Sequence, residues 1–277
     1  MIHSVKAGDA IIPAIGLGTW ELRGEKCAAI VTEALKVGYR HIDTAAMYKN
    51  EEAVGAGLIA SGVPRDNIFL TTKVWLDDLG PGALQASAEA SLRRLGVEDV
   101  DLLLVHWPHT GMSVKDMIEP LVDARERGLT RHIGVSNFTS MLLREANAVA
   151  DGTLVANQCE YHPYLNQDVV ISACRTLKMG FTSYCPLARG GALFDEAAIV
   201  SAAERHGKTA AQIILRWHIQ QEDMIAIPRT SKPERVSENI DVADFSLSDD
   251  DMTAISALTA RHHRICDYGF SPIWDAA

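Results

Sequence analysis

The chain has 277 residues, 47% of them hydrophobic and 22% charged, which is ordinary globular composition and excludes a disordered or fibrous protein. Its net charge of −10 argues against general affinity for nucleic acid or anionic membrane. No apolar run reaches the ~18 residues of a membrane-spanning helix, and the opening MIHSVKAGDA lacks the pattern of a signal peptide, so a cytoplasmic location is expected.

In chain order, SVKAGDAIIP reads as a hairpin turning at Gly8-Asp9. Short apolar runs then alternate with helical patterns. IGLGT (15–19), HIDTA (41–45), NIFLTTKV (67–74) and VDLLLVHW (100–107) are the first four strands. RHIGVSN (131–137), LVANQCEY (154–161), GFTSYCPL (180–187) and MIAIPRT (224–230) are the second four, and each of the eight leads into a helix. Near-continuous apolar strands are those buried on both faces. Eight βα units in this length predict a closed (β/α)8 barrel of the TIM type, occupying 1–277 as one domain. The hairpin is expected to plug the bottom of this barrel, and a C-terminal tail extends beyond SDDDMTAISALTA.

An open doubly wound sheet is the competing architecture. It would carry a glycine fingerprint after its first strand. GLGTWELRG (16–24) has the wrong spacing, and GAGLIASG (55–62) lies within a helical pattern. The five cysteines are widely spaced with no CxxC pair, so free thiols are expected, with neither disulfide framework nor metal site.

In such a barrel the active site lies at the C-terminal ends of the strands. There the sequence puts Asp43, Lys73, His106, Ser136 with Asn137, Gln158 with Glu160, Tyr184 and Arg229. Singly these read as helix caps, packing groups or surface charges. Together with Tyr48, five residues beyond Asp43, they form a set with chemical meaning. A phenol ionises near ~10 and is a weak acid at neutral pH. An adjacent ammonium favours the phenolate and lowers that value. Asp43 can hold Lys73 charged, and His106 can hydrogen-bond a substrate oxygen. Such a site can protonate the alkoxide formed when a carbonyl accepts hydride. The residues at 50–52 read as the cap of the following helix.

Nearly the whole chain resembles the aldo-keto reductase superfamily. The resemblance rests on GLGTW (16–20), DTAAMYKNEE (43–52), TTKVW (71–75), LLLVHWP (102–108), GVSNF (134–138), NQCEYHPY (157–164), SYCPLARG (183–190) and IPRTSKPERVSEN (227–239). It implies a monomeric barrel that reduces small carbonyl substrates with NADPH, with Tyr48 as proton donor beside Asp43, Lys73 and His106. It further implies that Ser136, Asn137 and Gln158 bind the nicotinamide amide, that Tyr184 stacks on its ring, and that Pro186, Leu187 and Gly191 line the pyrophosphate. Arg235 matches the family's 2′-phosphate arginine, with Arg229, Thr230 and Ser231 as neighbouring donors and Glu238 and Asn239 at the adenine positions. Ser231 to Glu234 reads as a capping box with an early proline, and a helix N-terminus attracts phosphate. Arg229-Thr230 stands where the family commonly has Lys-Ser, and arginine is not equivalent to lysine; NADH use stays open beside NADPH.

Trp20, Trp75 and Trp107 follow strand ends and are expected to wall the carbonyl, with Trp274 brought over the mouth by the tail. The ending resembles the bacterial 2,5-diketo-D-gluconate reductase group, some members of which reduce methylglyoxal. The basic run 261–264 is read either as an attractor of acidic substrates or as a solvated turn. Two other functions remain on the same barrel: a non-catalytic cofactor-sensing or partner-binding subunit, and Schiff-base chemistry on Lys73.

Overall fold

The computed structural model describes residues 2–276. Strands β1 (Ser4–Ala7) and β2 (Ala10–Pro13) pair antiparallel as the expected hairpin. It lies against the strand starts, where Gly180 approaches Val5 and Ala7.

Eight parallel strands form the main sheet: β3 (Leu17–Gly18), β4 (His41–Asp43), β5 (Phe69–Val74), β6 (Val100–Val105), β7 (Thr130–Ser136), β8 (Leu154–Glu160), β9 (Gly180–Tyr184) and β10 (Met224–Ala226), hydrogen-bonded in sequence order. Single bridges join Ile15 to Ala226 and Gly18 to Arg229, closing the sheet into a barrel. At this seam the Gly16 and Gly18 amides donate to the carbonyls of Ala226 and Pro228 at 2.9 and 3.0 Å. A Cβ on Gly16 would meet the His41 ring at 2.7 Å, and one on Gly18 the Ile227 carbonyl at 2.8 Å. The two glycines of GLGTW therefore serve barrel closure.

Helices α1 (Gly24–Lys36), α2 (Glu51–Ser61), α3 (Ala83–Leu95), α4 (Val114–Glu126), α5 (Ser140–Val149) and α6 (Asp168–Thr176) connect successive strands. Two helices, α7 (Ala197–His206) and α8 (Ala210–Gln220), follow β9; α9 (Pro233–Ile240) and α10 (Asp249–Ser256) follow β10. Trp217 of α8 is core, fully buried with its indole N–H donating to Ser256 at 3.0 Å. The glycines of GAGLIASG seat α2 on its neighbours: a Cβ on Gly57 would lie 2.7 Å from Val31, and one on Gly55 2.3 Å from the Leu95 carbonyl. All five cysteines are free thiols. Among the described residues no helix is long and apolar enough to cross a membrane.

Candidate active site

The strand tops bring Asp43, Lys73 and His106 together around Tyr48. Asp43 ends β4 and Lys73 lies near the end of the neighbouring β5. Lys73 is fully buried, and its Nζ donates to Asp43 Oδ1 at 2.5 Å and to the Thr44 carbonyl at 2.8 Å. The third contact is with the Tyr48 hydroxyl at 3.5 Å. Gln158 of β8 donates to the other Asp43 oxygen at 2.7 Å, so both carboxylate oxygens are engaged. The Tyr48 ring stands edge-on to His106, 5.6 Å between centroids, and Trp20 and Trp75 flank the pair at 5.0 Å from Tyr48 and 5.2 Å from His106.

Burial dominates the electrostatics. It pushes the Tyr48 phenol well above its ordinary value, and the Asp43 carboxylate adds to that rise. The expectation that Lys73 lowers the phenol does not hold in the resting site, because a phenolate there loses its water. Lys73 itself is pulled below the usual amine range by burial, against the support of Asp43. Burial, with Lys73 second, holds His106 well below the usual imidazole range, so the ring is neutral, and its buried Nδ1 has no protein partner.

The Tyr48 loop is built differently from the sequence reading. Tyr48 closes a 3-10 turn, Ala46–Tyr48, and Lys49 comes next in the left-handed region at φ 53°. The Arg23 guanidinium donates to the Tyr48 carbonyl. Asn50 makes no side-chain cap on α2. Its carbonyl oxygen accepts from Thr44 at 2.9 Å, and its amide donates to the carbonyls of Thr19 and Leu22 at 2.8 and 3.1 Å. Glu51 is buried, accepting from Thr72 at 2.6 Å and pairing with Arg94 at 2.6 Å. The cap expected at 50–52 is thus a staple between the β3 and β4 loops and a buried ion pair.

On the adjoining side, Ser136 donates to the Gln158 carbonyl at 2.7 Å. The Asn137 amide donates to the His106 carbonyl at 3.0 Å and accepts from the Tyr184 hydroxyl at 2.8 Å. Ser136, Asn137, Gln158 and Tyr184 are therefore one connected shelf beside the Asp43–Lys73 pair. Beyond it, Pro186 and Leu187 lie in the loop after β9, where the fully buried His218 of α8 bonds the Pro186 carbonyl at 3.1 Å, and Gly191 opens the 3-10 turn Gly191–Asp195.

A cleft of about 320 Å³ opens between this loop and α9, lined by Leu187, Arg229, Thr230, Arg235, Glu238 and Asn239, together with Phe194, Thr209, Ala210 and Ala211. The guanidinium groups of Arg229 and of Arg235 in the first turn of α9, the Thr230 hydroxyl and the buried amide of Asn239 near the end of that helix suit a phosphorylated ribose, so the residues present fit the adenosine end of NADPH. Ser231, half-buried, follows Thr230 in the chain and does not itself line the cleft. The capping box expected of it is absent: Lys232 is the N-cap without a side-chain bond, and Thr230 instead accepts from the Lys232 amide at 3.1 Å. Pro233 does open the helix. Phe194 and Thr209 were missed from sequence. Thr209 had a signal, since it forms a capping box with Gln212, and its hydroxyl donates to Glu238 at 2.7 Å.

The tail lies over the mouth. Phe270 packs edge-on against Trp75 and Trp107, centroids 5.6 and 5.3 Å away, and Trp107 also meets Tyr268 and Trp274. Trp75 and Trp107 thus meet two tail aromatics the sequence did not single out, Trp274 meets Trp107, and Trp20 stands beside Tyr48. Of the basic run, Arg261, His262 and His263 are exposed, while Arg261 pairs with Glu196 at 2.6 Å and Arg264 stacks 3.8 Å over Trp274.

A family model described as Aldo/keto reductase family matches residues 14–260. Methylglyoxal reductase DkgB of Salmonella typhimurium is 40% identical over 267 residues, covering 95% of this chain and 99% of that protein. A crystal structure given the provisional name 2,5-diketo-D-gluconic acid reductase B superposes with a TM-score of 0.96 at 42% identity, covering 100% of this chain and 98% of the other. The Bombyx mori aldo-keto reductase crystallised in complex with NADP superposes at 0.88 with 31% identity, covering 95% and 94% of the two chains.

Proposed function

The chain belongs to the aldo/keto reductase family and is by that membership an NADPH-dependent carbonyl reductase; from this premise we propose how its residues divide the reaction. Tyr48 is the proton donor, Lys73 the cation beside it, Asp43 the anchor of Lys73, and His106 a neutral hydrogen-bond donor to the carbonyl oxygen. The observation that carries this is the fully buried Lys73, 2.5 Å from Asp43 and 3.5 Å from the Tyr48 hydroxyl.

Bound NADPH supplies the hydride to the carbonyl carbon. Tyr48 delivers its proton to the oxygen as charge develops there. A raised phenol is a poor acid at rest, and Lys73 offsets the cost of forming the phenolate at the moment of transfer. Ser136, Asn137 and Gln158 hold the nicotinamide amide, with Tyr184 against the ring. Pro186, Leu187 and Gly191 border the pyrophosphate. Arg229, Thr230, Ser231 and Arg235 take the 2′-phosphate, with Glu238 and Asn239 toward the adenine.

The named relatives favour a small aldehyde, dicarbonyl or keto sugar acid as substrate, enclosed by Trp20, Trp75, Trp107 and Trp274. A cytoplasmic monomer of one domain completes the reading; sedimentation tests the oligomeric part. Schiff-base chemistry is disfavoured because all three donors of Lys73 have partners. An intact Tyr48 centre speaks against a purely sensing subunit. The test is NADPH oxidation against methylglyoxal, 2,5-diketo-D-gluconate and simple aldehydes, with NADH in parallel. Turnover that depends on Tyr48 is expected; cofactor binding without turnover of any carbonyl would support the sensing alternative instead.

A further inference from the structure

Glu160 takes no part in this division of the reaction, yet it is a fully buried carboxylate at the top of β8. Its Oε1 accepts from the Ile265 amide at 2.6 Å and from His162 Nε2 at 2.9 Å, and its Oε2 accepts from the Cys266 amide at 2.6 Å. His162 Nδ1 accepts from the Tyr164 amide at 3.3 Å, which leaves Nε2 as the nitrogen that donates to Glu160. Burial alone would raise the Glu160 carboxyl. The hydrogen bonds from His162, Ile265 and Cys266 outweigh it and hold the group below the usual carboxylate range. The side chain is therefore an anion at neutral pH.

Burying an anion is costly, and here it serves two backbone amides of the tail. From 262 to 276 the tail forms no helix or strand, so its amides have no ladder to join. Downstream of the two held amides the chain crosses the mouth and is fixed again at its far end. There Asp275 accepts from the amide and the hydroxyl of Ser140, at the N-terminus of α5, at 2.8 and 2.6 Å. Between these two attachments Phe270 packs against Trp75 and Trp107.

We propose that Glu160 is a positioning residue for substrate specificity: its carboxylate holds the tail backbone at Ile265 and Cys266, which sets Phe270 against Trp75 and Trp107 as a wall of the carbonyl pocket. The inference rests on the carbonyl-reductase reading for its kinetic part. Its structural part, the tethering of the tail, stands apart from that reading.

The test is Glu160→Gln, nearly isosteric, which keeps one acceptor oxygen and turns an amide donor toward a backbone N–H. Losing one charge-assisted hydrogen bond should raise KM for the carbonyl substrate ~10-fold or more. Turnover at saturation and NADPH affinity, read by quenching of protein fluorescence, should stay near wild type, because the Tyr48 centre is not touched. Amide hydrogen exchange should speed up in the tail peptide and not in the strands. Phe270→Ala leaves the tether intact and should raise KM without faster tail exchange; it covers the case in which Glu160→Gln folds poorly. Unchanged KM and unchanged tail exchange in Glu160→Gln would overturn the proposal, as would a parallel fall of turnover and NADPH affinity. If the wild-type protein reduced no carbonyl, the function would fall, while the exchange measurement would still decide the tether.

Discussion

Replacing Lys73 by methionine removes the charge next to the proposed proton donor and keeps most of the volume. The Lys73 nitrogen lies 3.5 Å from the Tyr48 oxygen. Unit charges at that separation, with an effective dielectric of ~20, interact by about 5 kcal/mol, which caps the help Lys73 gives a forming phenolate at roughly three powers of ten in rate. Proton transfer is only partial at the transition state, so the expected fall in kcat is ~10²–10³. The same change strands the Asp43 carboxylate, 1% exposed, with Gln158 alone. Breaking a buried pair from one side costs about 3–5 kcal/mol of stability. The double variant Lys73→Met with Asp43→Asn takes that stranded charge away, so most of the stability should return while the rate should not. Single-turnover NADPH oxidation and urea unfolding of all variants separate the two effects. A single variant that turns over at the wild-type rate would refute the electrostatic role. A double variant that regains rate along with stability would show that the loss came from misfolding of the site.

Tyr48→Phe should lower kcat by ~10²–10⁴ with NADPH affinity retained, measured by steady-state rates and fluorescence titration; undiminished turnover rejects Tyr48 as the donor. Arg235→Ala should weaken NADPH binding by about 1.5–3 kcal/mol and leave NADH nearly unaffected, so an unchanged ratio of the two dissociation constants rejects the 2′-phosphate assignment. Gly18→Ala places a Cβ 2.8 Å from the Ile227 carbonyl at the barrel seam and should cost ~1–3 kcal/mol by overpacking, read from the urea midpoint. Stability should also fall on acidification. Burial lowers His41, His106 and His218, the last to about 3, from an ordinary 6.5. Below about 6.5 the unfolded chain takes up protons that the folded chain refuses, so each histidine destabilises the fold by up to ~1.4 kcal/mol per pH unit until its folded value is reached. Flat unfolding midpoints between neutral pH and the onset of carboxylate titration would contradict that burial.

The barrel was legible because its strands are buried on both faces and read as short apolar runs. Their upper ends were not. The first strand was expected over 15–19 and the last over 224–230, whereas the ladders hold only Leu17–Gly18 and Met224–Ala226. Beyond those ladders the two segments meet only through single bridges at the barrel seam, Ile15 with Ala226 and Gly18 with Arg229, and residue types do not record where a continuous ladder stops. Asp43, Lys73, His106 and Tyr48 could be assembled from sequence because barrel topology sends consecutive strand ends to one place. Phe270 could not, since its partners Trp75 and Trp107 are far away in the chain and an irregular tail has no periodicity to extrapolate. Asn50 and Glu51 were misread for a related reason. A polar pair before a helix resembles a cap, and only the packing of Thr44, Thr72 and Arg94 around them turns it into a staple and an ion pair.

The sign of the Tyr48 shift marks the boundary between the two kinds of inference. A list of charges gives an ammonium next to a phenol and therefore a more acidic phenol. The folded site adds desolvation, which is the larger effect, and the Asp43 carboxylate, which has the same sign. A resting phenol raised in this way keeps its proton at neutral pH. It becomes a useful acid only when an oxygen that is gaining negative charge lies beside it, with Lys73 already in place to support the phenolate. The buried pair of Asp43 and Lys73 is therefore better understood as holding a fixed cation in readiness than as a means of ionising Tyr48 in advance. That distinction is why the Lys73 variant is expected to lose rate far more than it loses substrate binding.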